Sequence, residues 1–223
     1  MQSASEQEIA FMGKVMASMT HELRNVFAAI NETAGLMEDI LVLSKDAAVQ
    51  SNALIPEKVS KIRALIDRGV KLTGTLNALA HAPDESLSRI DLKETVERVI
   101  SFSERLAAFK GVFPKASPEA QPVFVTTNPL RIQMVLFDCV GLFMEIAGRN
   151  GTLLVRTSEG KDGEARVDFS FDEQQQNGKG EEMVPTTSIL WSVLEENVKG
   201  LNGRIELKEP PTQFTLVFSR DLD

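Results

Sequence analysis

The stretch IAFMGKVMASMTHELRNVFAAI, Ile9–Ile30, decides how the first half of the chain is read. Apolar residues stand at Ile9, Met12, Met16, Met19, Leu23, Val26 and Ile30, always three or four apart. The series continues through Ala34, Met37 and Leu41. An α-helix turns once in 3.6 residues, so this spacing lays one apolar seam along one face. A seam sustained over so many turns marks a helix of a bundle or coiled coil. No proline interrupts it before Pro56.

A second periodic segment carries Val59, Ile62, Leu65, Ile66, Val70, Leu72, Leu76 and Leu79, and fades at His81-Ala82-Pro83. The connecting stretch Ser44–Pro56 is more polar, and Pro56 suits the first turn of the second helix. Two long helices with a short connection fold back as an antiparallel hairpin. One hairpin has too little partner surface to bury both seams. Two hairpins, one from each of two chains, close a four-helix bundle, so a homodimer is expected.

After Pro83 the pattern changes. Asp91–Lys110, Leu130–Gly148 and Ser188–Leu201 read as helices. GVFP, VFVTT, TLLVRTSEG, ARVDFSFDE, RIELKE and QFTLVFS read as strands, with Lys161-Asp162-Gly163 and Pro210-Pro211 as turns. Helices and strands mix without a βαβ repeat, which gives an α+β sandwich. The expected domains are residues 1–84, the helical hairpin, and 85–223, the mixed domain.

Composition narrows the function. The chain has 223 residues, 24 Lys and Arg against 32 Asp and Glu, and a net charge of −8. An acidic chain without a basic run is a poor ligand for nucleic acid or an anionic membrane. The N-terminal MQSASEQEIAFMG has acids and no basic stretch, so it does not read as a secretory signal. No apolar run reaches the ~18–20 residues that span a bilayer. The single cysteine, Cys139, lies in the apolar run MVLFDCVGLFM and reads as a core thiol, which fits a reducing compartment. A cytoplasmic location is expected. Trp191 and the phenylalanines of the second half read as core. The two histidines and one cysteine are too dispersed to form a metal cluster.

One of those histidines, His21, interrupts the first seam. It lies two residues from Met19 and two from Leu23, about 200° around the helix from each, so it faces water. Asn25, at i+4, shares its face, and Arg24, at i+3, flanks it. Glu22 stands beside it. A carboxylate that accepts the Nδ1 proton fixes the tautomer and leaves Nε2 as a nucleophile. From spacing alone, a surface histidine beside a glutamate is more often a solvated residue than a reactive one. His81, the other histidine, closes the second helix, where an imidazole is favoured by the helix dipole. Lys14 and Arg24 lie near the His21 face and read either as steering charges for an acidic partner or as solvated ones.

The box HELRN, His21–Asn25, resembles the phosphoacceptor motif of bacterial two-component histidine kinases, carried on the first helix of a dimeric hairpin. The resemblance covers Met1–Ala82. It implies His21 as the phosphorylated residue, Glu22 as the acid that polarises it, and Asn25 as a residue governing hydrolysis of a partner's aspartyl phosphate. The end of the chain, WSVLEENVKGLNGRIELKEPPTQFTLVFSRDL (Trp191–Leu222), is similar to the last helix and hairpin of that family's ATP-binding domain. Asn202-Gly203 stands where the family has Gly-Gly.

The nucleotide ligands of the family are not matched. The helix that normally reads NLLxNA is DCVGLF here, Asp138–Phe143, which puts Leu142 at the metal-binding asparagine. Leucine offers Mg²⁺ no oxygen. The adenine loop DxGxG is replaced by DEQQQN, Asp172–Asn177, in which only Asp172 matches. Gly178 and Gly180 in NGKGEE read as a turn. The expected fold is therefore a helical hairpin, dimeric as a four-helix bundle, followed by a degenerate ATPase-like α/β sandwich. The expected function is histidine phosphotransfer. His21 accepts a phosphoryl group from a receiver aspartate and passes it on. The chain binds no cofactor of its own, ATP is not used, and Mg²⁺ comes with the receiver. Response-regulator receiver domains and a second copy of the chain are the expected partners. An active kinase with a divergent nucleotide site, a receiver phosphatase acting through Asn25, and a non-enzymatic scaffold remain as alternatives.

Overall fold

In a computed structural model the described residues are 3–43, 51–146, 151–171, 184, 186–208 and 213–219. The first helix, α1, spans Ala4–Leu43. Its start is a reciprocal cap. The Ser3 hydroxyl oxygen accepts from the Glu6 N–H, and the Glu6 carboxylate accepts from the Ser3 N–H at 2.7 Å. The second helix, α2, spans Ser51–His81. It begins before Pro56, not at it. Pro56 is tolerated in the second turn because it removes a single N–H and preserves a helical φ.

Contacts divide the chain into two units: Lys14–Ala80, and Met1–Gly13 together with His81–Asp223. In the hairpin unit α1 and α2 meet where Arg68 pairs with Glu22 and where Gly69 lies against the Val26 side chain. Both contacts lie some 25–30 Å of helix from the connection, so the helices run back side by side. Met19, Val26, Leu72 and Leu79 are buried.

The early seam differs from the expected one. Ile9 is 68% exposed and Met16 is 49% exposed, whereas Phe11 and Val15 are buried. The cause is Phe11, which belongs to the other unit. Its ring packs edge-on to Phe137 at 5.4 Å and tilted to Phe102 at 6.4 Å. An ion pair between Glu8 and Arg131 at 2.7 Å fixes the same face. A large ring with two aromatic partners sets the rotation of these turns, and Ile9 falls on the other side.

The second unit begins with a short strand, β1 (Ser88–Asp91), which the sequence reading missed. It pairs antiparallel with β3 (Phe124–Thr127) in a separate two-stranded sheet. SRID carries no apolar alternation to betray it. Helix α3 (Leu92–Lys110) is capped by the Asp91 carboxylate, which accepts from the Lys93 N–H, and ends at Gly111 with φ 74°. Strand β2 (Val112–Ala116) follows it. Helix α4 (Pro129–Ile146) is capped by Asn128, which accepts from the N–H groups of Leu130 and Arg131. Then come β4 (Gly151–Glu159), β5 (Ala165–Phe171), α5 (Ile189–Lys199), β6 (Gly203–Leu207) and β7 (Phe214–Phe218). The main sheet has the order β2-β4-β5-β7-β6, with β2–β4 parallel and the other neighbours antiparallel. The architecture is α+β, a helical hairpin followed by a layered α/β domain.

The core of that domain is aromatic. Phe143 of α4, Phe169 of β5 and Phe214 of β7 pack at 5.1–6.1 Å between centroids, and Trp191 of α5 meets Phe214 edge-on. The expectation that all phenylalanines here are core fails at three positions. Phe109 is 90% exposed, and Phe113 and Phe124 are about half exposed. Phe124 is covered on one face by the Arg89 guanidinium, 4.6 Å from its centroid.

The turn from α5 into β6 gives Asn202-Gly203 a structural reason. Asn202 takes φ 54°, a left-handed conformation that asparagine tolerates. Gly203 lies so close to its neighbours that a Cβ would fall 2.7 Å from the Phe218 ring and 3.0 Å from Val198. Gly203→Ala is expected to destabilise the protein by about 1–3 kcal/mol, the cost of overpacking a filled core. Urea unfolding of the variant against the native chain measures this.

Candidate functional site

The hairpin unit brings His21, Glu22 and Asn25 of α1 together with Arg68 of α2. His21 is exposed, as its offset from the seam requires. The Asn25 Nδ2 atom stands 3.3 Å from His21 Nδ1 and donates to Glu22 Oε2, also at 3.3 Å. The other oxygen of Glu22, Oε1, is 2.6 Å from Arg68 Nη2. The Glu22 side chain is 19% exposed and that of Arg68 52%.

The acid therefore lies where the sequence placed it, but its contacts are different. The group at Nδ1 is the amide of Asn25, one helical turn on, and the carboxylate of Glu22 is taken by Arg68. Residues i and i+4 stack on a helix, which brings the Asn25 amide over His21, and the Glu22 carboxylate is drawn across to Arg68. Arg68 is the member that sequence reasoning missed. It is 46 positions from Glu22, and its only sequence signal is its place on the exposed side of the second periodic segment.

Lys14 and Arg24 are both exposed. His81, at the end of α2, holds its Nδ1 2.8 Å from Asp84 Oδ2 across the following turn, with both side chains about two-thirds exposed.

In the second unit, α4 carries the positions that the family resemblance assigns to nucleotide and metal. Asp138 is exposed on this helix, while Leu142 is buried at 2% exposure. A buried leucine does not fit a Mg²⁺ ligand, because it has neither a donor oxygen nor access. Among the described residues no group of three or more histidine, cysteine or acidic side chains could hold a metal. The stretch DEQQQN with Asp172, and the glycines Gly178 and Gly180, lie outside the described residues. Among the described residues no helix is long and apolar enough to cross a membrane.

No family model and no curated protein matches the sequence. Solved structures of histidine kinases do resemble it in fold. The histidine kinase AdeS of Acinetobacter baumannii is 16% identical with a TM-score of 0.46, over 91% of this chain and 98% of that one. The catalytic domain of histidine kinase ThkA is 17% identical with a TM-score of 0.48, over 62% of this chain and all of that one. ThkA in complex with the response regulator protein TrrA is 16% identical with a TM-score of 0.47, over 98% of this chain and 64% of that one. At such identities the likeness is one of fold.

Cys139 is fully buried on α4, and burial, reinforced by the neighbouring Asp138 charge, pushes its thiol well above the ordinary range. Thiolate is the reactive form. Iodoacetamide at pH 8 is expected to leave the native chain unmodified and to alkylate it fully in denaturant, as read by mass spectrometry.

Proposed function

We propose that this protein is a histidine phosphotransfer protein of a two-component phosphorelay. His21 accepts a phosphoryl group from a receiver aspartate and passes it to another receiver, without drawing on ATP. The observation that carries the reading is the site on α1: an exposed imidazole on a long helix, in the box HELRN. The burial of Leu142 supports the second part, since phosphoryl transfer from ATP depends on a metal to position and neutralise the phosphates.

In this reading Nε2 attacks the phosphorus of the aspartyl phosphate. The bond from phosphorus to the acyl oxygen breaks, the aspartate leaves with its electron pair, and the ring keeps its proton on Nδ1. The receiver brings Mg²⁺ together with its aspartate. Glu22 stabilises the charged ring, Asn25 positions it, and Lys14 and Arg24 attract the acidic receiver. The chain acts as a homodimer. Met16 and Phe27 share one side of α1, Ile66 and Val70 share one side of α2, and all four are exposed in the single chain, where a four-helix bundle would bury such apolar sides.

Receiver domains phosphorylated with labelled acetyl phosphate are expected to pass label to the native chain and none to His21→Ala. The label should be acid-labile and alkali-stable, as a phosphorus–nitrogen bond is. γ-Labelled ATP with Mg²⁺ should label neither. Label from ATP on the native chain alone would make the protein a kinase and overturn the reading.

A further inference from the structure

The chain of contacts Arg68–Glu22–Asn25–His21 has a chemical direction. A carboxylate only accepts hydrogen bonds, so the Asn25 amide must turn its NH₂ end to Glu22 Oε2. That same NH₂ is the group 3.3 Å from His21 Nδ1. An NH₂ facing a ring nitrogen donates to its lone pair. Nδ1 is then the acceptor, and the single proton of the neutral imidazole sits on Nε2. This is the wrong tautomer for attack, because the exposed Nε2 has no free lone pair.

The converse tautomer needs an acceptor at Nδ1, and the acceptor at hand is Glu22. Its carboxylate already touches the amide that touches Nδ1, so one exchange of partners would bring it there. What keeps it away is Arg68, whose guanidinium holds Oε1 at 2.6 Å, the shortest contact of the cluster. Charge-assisted pairs of this kind are roughly twice as strong as neutral hydrogen bonds, whereas the two Asn25 contacts are at the long end of the range.

We propose that Arg68 is a positioning residue that locks the phosphoacceptor in its unreactive tautomer by withholding Glu22 from His21. The proposal rests on the phosphotransfer reading for its consequence, but not for its structure. Release follows naturally from the arrival of a donor. The guanidinium is half exposed, and the dianionic phosphoryl group of an acyl phosphate competes with Glu22 for it. Once Glu22 is free, the exposed ring takes a proton from water at Nδ1, where Glu22 accepts the hydrogen bond, and gives its Nε2 proton back to water. Nε2 then carries the lone pair that forms the new bond to phosphorus as the bond to the leaving carboxylate breaks. The lock thus opens for a phosphorylated partner and stays shut to water-borne encounters.

The test compares the native chain with Arg68→Gln and Arg68→Lys. Nitrogen-15 NMR of histidine side chains, assigned to His21 by difference against His21→Ala, reads the tautomer directly. Phosphoramidate serves as a small donor, and its rate of reaction at His21 reads the consequence. The native chain and Arg68→Lys should hold the proton on Nε2. Arg68→Gln should move it towards Nδ1 and raise the rate several-fold, up to the ~10²-fold that a positioned acid–base partner contributes. An unchanged tautomer and rate in Arg68→Gln would overturn the lock while leaving His21 as carrier. A shifted tautomer with no phosphorylation of His21 in any variant would keep the lock and remove the carrier.

Discussion

The packing of α1 against α2 is the constraint on which the site depends. Val26 and Gly69 lie in contact, and Met19, Leu72 and Leu79 are buried. A helix that buries one face has no freedom over what it shows on the other. With Met19 and Val26 inward, His21 and Asn25 are forced outward together. The same packing brings Arg68 within reach of Glu22. Neither helix alone could build this cluster, because three of its members come from α1 and the fourth from α2. The site is a consequence of helix register, and a shift of one residue in α2 would turn the guanidinium away from its carboxylate.

Much of this was legible in the sequence because periodicity reports burial directly. The long helices, the exposed His21 and the alignment of Asn25 follow from spacings of two and four residues. The helices and strands of the second half follow from their apolar patterns. What escaped is physically of three kinds. Phe11 was invisible as a core residue because its partners, Phe102 and Phe137, are about ninety or more positions away. Strand β1 was invisible because four mostly polar residues carry no alternation, and only pairing with Phe124–Thr127 defines them. Arg68 was invisible because an ion pair between helices leaves no mark on either helix's own pattern.

In the second unit, helix α4 belongs to the core. It is apolar on nearly every side, and Leu142, Phe143 and Cys139 are all buried. A polar ligand at position 142 would carry a desolvation cost unless a metal or water met it, whereas leucine adds to the core. The helix is here a strut between α3 and α5, and the aromatic group formed by Phe143, Phe169, Phe214 and Trp191 ties it to the sheet. Gly203 is held by the crowding of Phe218 and Val198, which is a packing demand.

The attachment of Phe11 makes the second unit discontinuous in the chain. Its contacts gather Met1–Gly13 with residues that begin at His81, and the hairpin is an insertion between them. The ends of that insertion lead into a domain whose first segment is synthesised before the hairpin and whose remainder follows it. Closing so long a loop adds only slowly to the entropy cost as its length grows, so the arrangement is thermodynamically inexpensive. Its effect is topological. A cut at the apparent boundary after the hairpin would remove a core side chain from the domain it seemed to spare, and the N-terminal turns of α1 must wait until more than half of the chain is made before Phe102 and Phe137 exist. The two units are interleaved in sequence.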